Sequence, residues 1–109
     1  MKMLTPMELF GIECGKGWMS LVEPLYIECT RHGGTILQIK EKFGGLRFYY
    51  SPGMGNFDDP FWQQFQTKVD KAESDSYTIC EDCGKPGVRR MNGWIRTLCD
   101  THAKEHGYE

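Results

Sequence analysis

At 109 residues the chain has room for one domain, or for a small core with an appended lobe, and it can bury only about two thirds of its unfolded surface. Thirteen Lys and Arg against fifteen Asp and Glu give a net charge of -2. That excludes a nucleic-acid binder working through bulk basic charge and confines any anion site to a local patch.

No stretch approaches eighteen apolar residues, the first twenty residues lack a long apolar run, and the five cysteines are odd in number. A soluble protein in a reducing, cytoplasmic setting, with no membrane partner, is expected.

Along the chain, Thr5-Pro6-Met7-Glu8 predicts a helix start, with Thr5 as N-cap and Glu8 closing a capping box; Gly11, Gly15 and Gly17 stop it early. Trp18, Leu21, Val22, Leu25, Tyr26 and Cys29 then recur at helical spacing up to Gly33-Gly34. Pro24 falls inside this run, so the helix either kinks there or begins there. Cys14 and Cys29 read as small buried apolar groups, and His32 as a helix C-terminal residue favoured by the dipole.

Thr35 to Tyr50 predicts a hairpin with Gly44-Gly45 as a two-residue turn, pairing 43 with 46, 41 with 48 and 39 with 50. The core face then carries Leu37, Ile39, Phe43, Leu46, Phe48 and Tyr50, with Glu41 the lone polar intruder. A four-residue turn would change that parity. The opposite face carries Gln38, Lys40, Lys42, Arg47, Tyr49 and Ser51. Glu41 is expected to be a structural buried acid pinned by an Arg or Trp N–H, since no second carboxylate or His at fixed spacing supports acid-base catalysis.

After the Pro- and Gly-containing loop of residues 51–56, Asp59-Pro60 caps a second helix with an apolar stripe of Phe61, Trp62, Phe65, Val69 and Ala72. The fold class is α+β: a helix, hairpin and helix core over residues 1–76, with a zinc-finger lobe over 77–109 packed on it as one compact unit.

That lobe is defined by Cys80, Cys83, Cys99 and His102, a C-x2-C-x15-C-x2-H pattern suited to Zn2+. Gly84 gives the first pair its tight turn, and Asn92-Gly93 predicts a two-residue hairpin between Val88–Met91 and Trp94–Leu98. A short helix from Cys99 to His106 places Cys99 and His102 one turn apart. Knuckle, hairpin and ligand-bearing helix form the order of a treble clef. His106, one turn beyond His102, is the rival fourth ligand.

The segments Lys40-Glu41-Lys42-Phe43-Gly44-Gly45-Leu46-Arg47-Phe48-Tyr49, Cys80 to Gly87 and Gly93 to His102, with Gly17-Trp18 at the start of the first long helix, carry a resemblance over most of the chain. The protein resembles a group of short, largely uncharacterised proteins of tailed phages and bacteria that join a KEKFGGLRFY hairpin to a Cys3His zinc finger. The resemblance implies a phage or prophage setting inside a bacterial host and a zinc site at Cys80, Cys83, Cys99 and His102.

Four protein ligands close a tetrahedron, so the zinc is expected to be structural. A treble-clef nuclease would need a general-base His in the finger's hairpin, and this one has none. The two-residue turn at Asn92-Gly93 would set Arg89 across from Arg96 on the side of Trp94; Asp82 or Asp100 offsets that like-charge pair, or a bound anion does. Lys40, Lys42, Arg47 and Tyr49 form a second basic and aromatic ribbon, or a solvated strand face.

These residues lead to a non-enzymatic, zinc-stabilised module that binds a nucleotide or nucleic acid and counters a host defence. The alternative is a protein-interaction adaptor or inhibitor of a host enzyme, and the third reading is a zinc-supported nuclease or hydrolase.

Overall fold

The computed structural model describes residues 12–108, and the predicted helix start at Thr5–Glu8 lies outside them. Strand β1 (Ile12–Glu13) is followed by a 3-10 turn at Lys16–Trp18 and helix α1 (Met19–Arg31). A hairpin of β2 (Thr35–Lys42) and β3 (Gly45–Ser51) leads to α2 (Pro60–Ser76). A second hairpin, β4 (Val88–Arg90) and β5 (Arg96–Leu98), precedes the short helix α3 (Asp100–Glu105). The fold is mixed α+β, as the element pattern predicts, and among the described residues no helix is long and apolar enough to cross a membrane.

Helix α1 runs unbroken through Pro24. The N–H that proline lacks would have bonded the carbonyl of Ser20 in the first turn, so a single bond is lost on the exposed side of the helix. The opposite side buries Val22, Leu25 and Cys29. Helix α2 starts where Asp59 accepts the Phe61 N–H at 2.9 Å, and it buries Trp62, Phe65, Val69 and Ala72. Both helices close on Ile39, Leu46, Phe48 and Tyr50 of the first hairpin. The hydroxyl of Tyr50 donates to Gln66 at 2.7 Å, so its partly polar ring stays satisfied inside the core.

The first hairpin turns at Phe43-Gly44, one residue earlier than predicted. Lys42 pairs with Gly45, Glu41 with Leu46 and Ile39 with Phe48. Phe43 (φ 54) and Gly44 (φ 82) are both left-handed, which a primed two-residue turn requires. The slip moves the register by two positions, so Ile39, Leu46, Phe48 and Tyr50 keep the core face.

Leu37 and Phe43 do not stay there. A bulge between Ile36 and Gln38 turns Leu37 outward and packs Ile36 against the core, while Phe43 sits at the exposed tip.

Strand β1 pairs parallel to β2, Ile12 with Ile39 and Glu13 with Lys40. Two residues carry too little alternation to show in a sequence pattern. Their consequence is large, because β1 delivers Gly15-Lys16-Gly17-Trp18 against the segment that opens the Cys/His lobe. The amide of Gly17 donates to the Glu81 carbonyl at 2.7 Å, and the buried Trp18 indole donates to the Ile79 carbonyl at 2.8 Å. A Cβ on Gly17 would lie 2.2 Å from the Cys80 carbonyl oxygen, a contact only glycine escapes. Gly15 and Gly17, two of the three glycines expected to end an early helix, permit this approach of backbone to backbone; Gly11 lies outside the described residues.

Candidate metal centre

Cys80, Cys83, Cys99 and His102 lie together, each offering one ligand atom within 4.8 Å of the others. The turn at Cys80–Gly84 places the first two sulfurs: the Gly84 N–H donates to the Cys80 carbonyl at 2.9 Å, and the Cys80 N–H donates to the Lys85 carbonyl at 2.7 Å. Cys99 is the N-cap of α3, which sets His102 one turn along.

The Cys83 and Cys99 sulfurs are 3.8 Å apart, and Nδ1 of His102 is 3.6 Å from the Cys80 sulfur and 3.2 Å from that of Cys99. Bond lengths of about 2.3 Å to sulfur and about 2.0 Å to imidazole predict tetrahedral edges of about 3.8 and 3.5 Å, so the cluster fits one tetrahedral ion. The His102 backbone N–H at the start of α3 is the main influence pulling the Cys99 thiol down to about 7, toward the thiolate that a metal needs.

His106, the rival ligand, turns elsewhere. Its Nε2 meets Asp82 at 2.7 Å and its Nδ1 faces Arg96 at 3.4 Å.

The hairpin joined to this centre differs from its sequence reading. Arg89 pairs with Thr97 and Arg90 with Arg96, leaving residues 91–95 as a five-residue loop. Only Gly93 in that loop has a positive φ among the described residues, so the primed turn that Asn92-Gly93 suggests does not form. The change of one residue reverses the parity. Arg89 and Arg96 therefore do not face each other.

Arg89 points to the core hairpin, where its Nε donates to the Phe43 carbonyl at 2.8 Å and its guanidinium lies 4.8 Å from the Tyr77 ring centre. Arg96 points the other way, to Glu81 at 3.4 Å and Asp82 at 3.3 Å. Arg90 takes the position across from Arg96, with Asp100 at 2.8 Å. The acidic offset expected from Asp82 or Asp100 exists, divided between two arginines.

Glu41 also differs from expectation. It is half-buried, and its partner is the Gly44 N–H of its own turn at 2.7 Å rather than an Arg or Trp. The buried carboxylate is Glu81, 4% exposed, which accepts from the Gly15 amide at 2.8 Å and faces Arg96. Burial pushes the Glu81 carboxyl above its ordinary range, while the Gly15 amide and the Arg96 guanidinium act against that rise. Sequence pattern gave no sign of it, because a Glu between two knuckle cysteines shows neither helical nor strand periodicity. The GKGW segment that buries it is its only trace.

On the first hairpin, Arg47 is held by Glu73 of α2 at 3.1 Å, Tyr49 is exposed, and Lys40 lies between Glu13 and Arg47 across the three strands. Lys42 stands at the tip with its ammonium 5.6 Å from the Phe43 ring centre. The two ribbons predicted to carry Arg89, Arg96 and Trp94 on one side and Lys40, Lys42, Arg47 and Tyr49 on the other do not merge into one basic surface.

What the hairpins do share is a cleft. Glu13, Glu41, Glu81, Trp94, Arg96, His106 and Tyr108 line an open space of about 430 Å³. Lys42, Phe43, Gly93, Trp94 and Ile95 line a second, mostly apolar one of about 320 Å³, and Glu41 and Trp94 belong to both. Trp94 is 77% exposed, while Tyr108 donates to its backbone carbonyl.

In comparisons with protein-family models, curated proteins and solved structures, nothing matches this chain.

Proposed function

We propose that the protein is a non-enzymatic binding module in which a structural zinc ion, held by Cys80, Cys83, Cys99 and His102 in a treble-clef-like lobe, presents the tips of two hairpins to a protein partner. The observation that carries the reading is Trp94, a large aromatic 77% exposed in a loop whose hairpin leads directly into the ligand-bearing Cys99. Phe43, 56% exposed, stands across the apolar groove from it. Large aromatics left in solvent at adjoining tips mark contact surfaces more than stability.

Three thiols and an imidazole at tetrahedral spacing suit Zn2+ and leave no position for an activated water. The charge pattern favours a protein partner over the phosphate-bearing ligand. Arg47 and Arg96 are matched by carboxylates, Arg89 is engaged by a backbone carbonyl, and the cleft under Trp94 is lined by three glutamates. The resemblance to short phage and bacterial proteins suits an adaptor or inhibitor acting on a host enzyme.

Native mass spectrometry and a capture assay test this together. One zinc per chain is expected, and Trp94→Ser should stay folded and metal-loaded yet lose a host protein that the wild type captures. Metal-dependent turnover of a nucleic acid, or a chain without stoichiometric zinc, would overturn the reading.

A further inference from the structure

The two spaces under Trp94 differ in chemistry, and that difference specifies what they could hold. The groove between the tips, with Lys42 on its wall, opens onto a floor with three carboxylates, Glu13, Glu41 and Glu81, one guanidinium, Arg96, and one imidazole, His106, which Asp82 meets at 2.7 Å. Arg96 is already faced by Glu81 and by Asp82. Glu41 uses Oε2 for the Gly44 amide, which leaves Oε1 as an acceptor, and among the described residues Glu13 has no ion pair. Four carboxylates, Asp82 included, thus stand against Arg96, Lys42 and the His106 imidazole, which leaves a small excess of negative charge beneath an indole.

Phe43 already has the Lys42 ammonium over its ring, whereas the Trp94 ring meets no other ring or cation among the described residues. Its backbone is fixed by Tyr108, so the indole is presented at the cleft mouth. An aromatic face above carboxylates attracts a cation by the ring quadrupole and by charge at once.

We propose that this cleft receives a basic side chain, lysine or arginine, from a peptide segment of the partner protein, with the cation between Trp94 and Glu41 and the flanking apolar residues in the groove of Phe43 and Ile95. The proposal rests on the hairpin tips being the contact surface and adds the partner's chemistry. A phosphate-bearing strand would meet the same carboxylates as like charges. A basic peptide meets them as complement.

The test uses the full-length, zinc-loaded protein labelled with 15N, following the indole N–H of Trp94. Twelve-residue peptides that are basic, acidic or neutral and apolar are titrated separately, and a single-stranded oligonucleotide serves as the other class. The basic peptide should shift the Trp94 signal saturably, and added salt should weaken it. Glu13→Gln, at an exposed strand residue, and Glu41→Gln, which keeps an oxygen for the Gly44 amide, should each weaken it about two- to fivefold.

If acidic or neutral peptides bind equally well and neither Glu substitution matters, the basic occupant is overturned while the tips survive as a contact surface. If the oligonucleotide alone moves Trp94, both readings fall. If no ligand moves it, this inference is overturned, and the zinc and capture measurements still decide the broader one.

Discussion

The two hairpins are built from similar sequence signals and held by different physics. The β2–β3 ribbon has strands of eight and seven residues, and Ile39, Leu46, Phe48 and Tyr50 on one face are buried under two helices. The β4–β5 ribbon has three residues per strand and buries only Thr97 and Leu98. A two-stranded ribbon that short is marginal in water. What fixes it lies outside itself: the Cys/His cluster at its base and the core hairpin's tip beside it, where Thr97 donates to the Gly44 carbonyl at 2.6 Å and Arg89 to that of Phe43.

The core hairpin is a platform, and the second hairpin depends for its register on that platform and on the Cys/His cluster at its base.

Removing the ion should divide the two most sharply. Chelation, or Cys99→Ser, is expected to abolish amide-exchange protection in β4, β5 and α3 while β2 and β3 keep theirs. The lost binding energy is on the order of 10 kcal/mol, more than so small a lobe can replace. Equal loss in both hairpins would show a single cooperative unit and erase the distinction.

Next in size is the joint where the GKGW segment meets the knuckle. Gly17→Ala forces a methyl against the Cys80 and Glu81 carbonyls, and chemical denaturation should register a loss of about 1–3 kcal/mol with weakened metal retention.

Thr97→Val leaves the Gly44 carbonyl without its buried donor and should cost about 1–3 kcal/mol. Combined with Arg89→Ala in a double-mutant cycle it should show non-additivity, because both side chains grip the same turn. Additive losses would mean that the tip is held independently at each point.

The core's two remaining cysteines sharpen the contrast through pH. Burial, with the nearby Glu81 and Glu41 carboxylates, pushes the Cys14 thiol up to about 12, and burial pushes that of Cys29 up to about 11. Both folded values exceed the ordinary 9.0, so the unfolded chain loses these protons first; the stability they support is intact below pH 9 and declines as pH rises toward those values. Native alkylation at pH 8 followed by mass spectrometry should find both unreactive before and after mild chelation, with only Cys80, Cys83 and Cys99 becoming labelled.

The smallest effect is expected at the tips. Phe43→Ser and Trp94→Ser should each change stability by about 0.5 kcal/mol or less, since neither ring is buried.

The sequence by itself determined the elements whose signals are local. Apolar spacing marked α1 and α2, Asp59-Pro60 marked where α2 begins, and C-x2-C-x15-C-x2-H brought together the four residues that could hold a metal. Alternation assigned most of the core face of the first hairpin, and that assignment survives the turn's displacement because the register moved by an even number.

Only the tertiary structure decided the rest. Whether Arg89 or Arg90 stands across from Arg96 depends on a five-residue loop fitted to the Gly44 turn and to Asp82 and Asp100. Which acid is buried depends on a two-residue strand that carries Gly15 and Gly17 onto Glu81. Periodicity reports which way a side chain faces within its own element. Contacts with other elements, from ten to sixty-six positions away in the chain, decide what it faces.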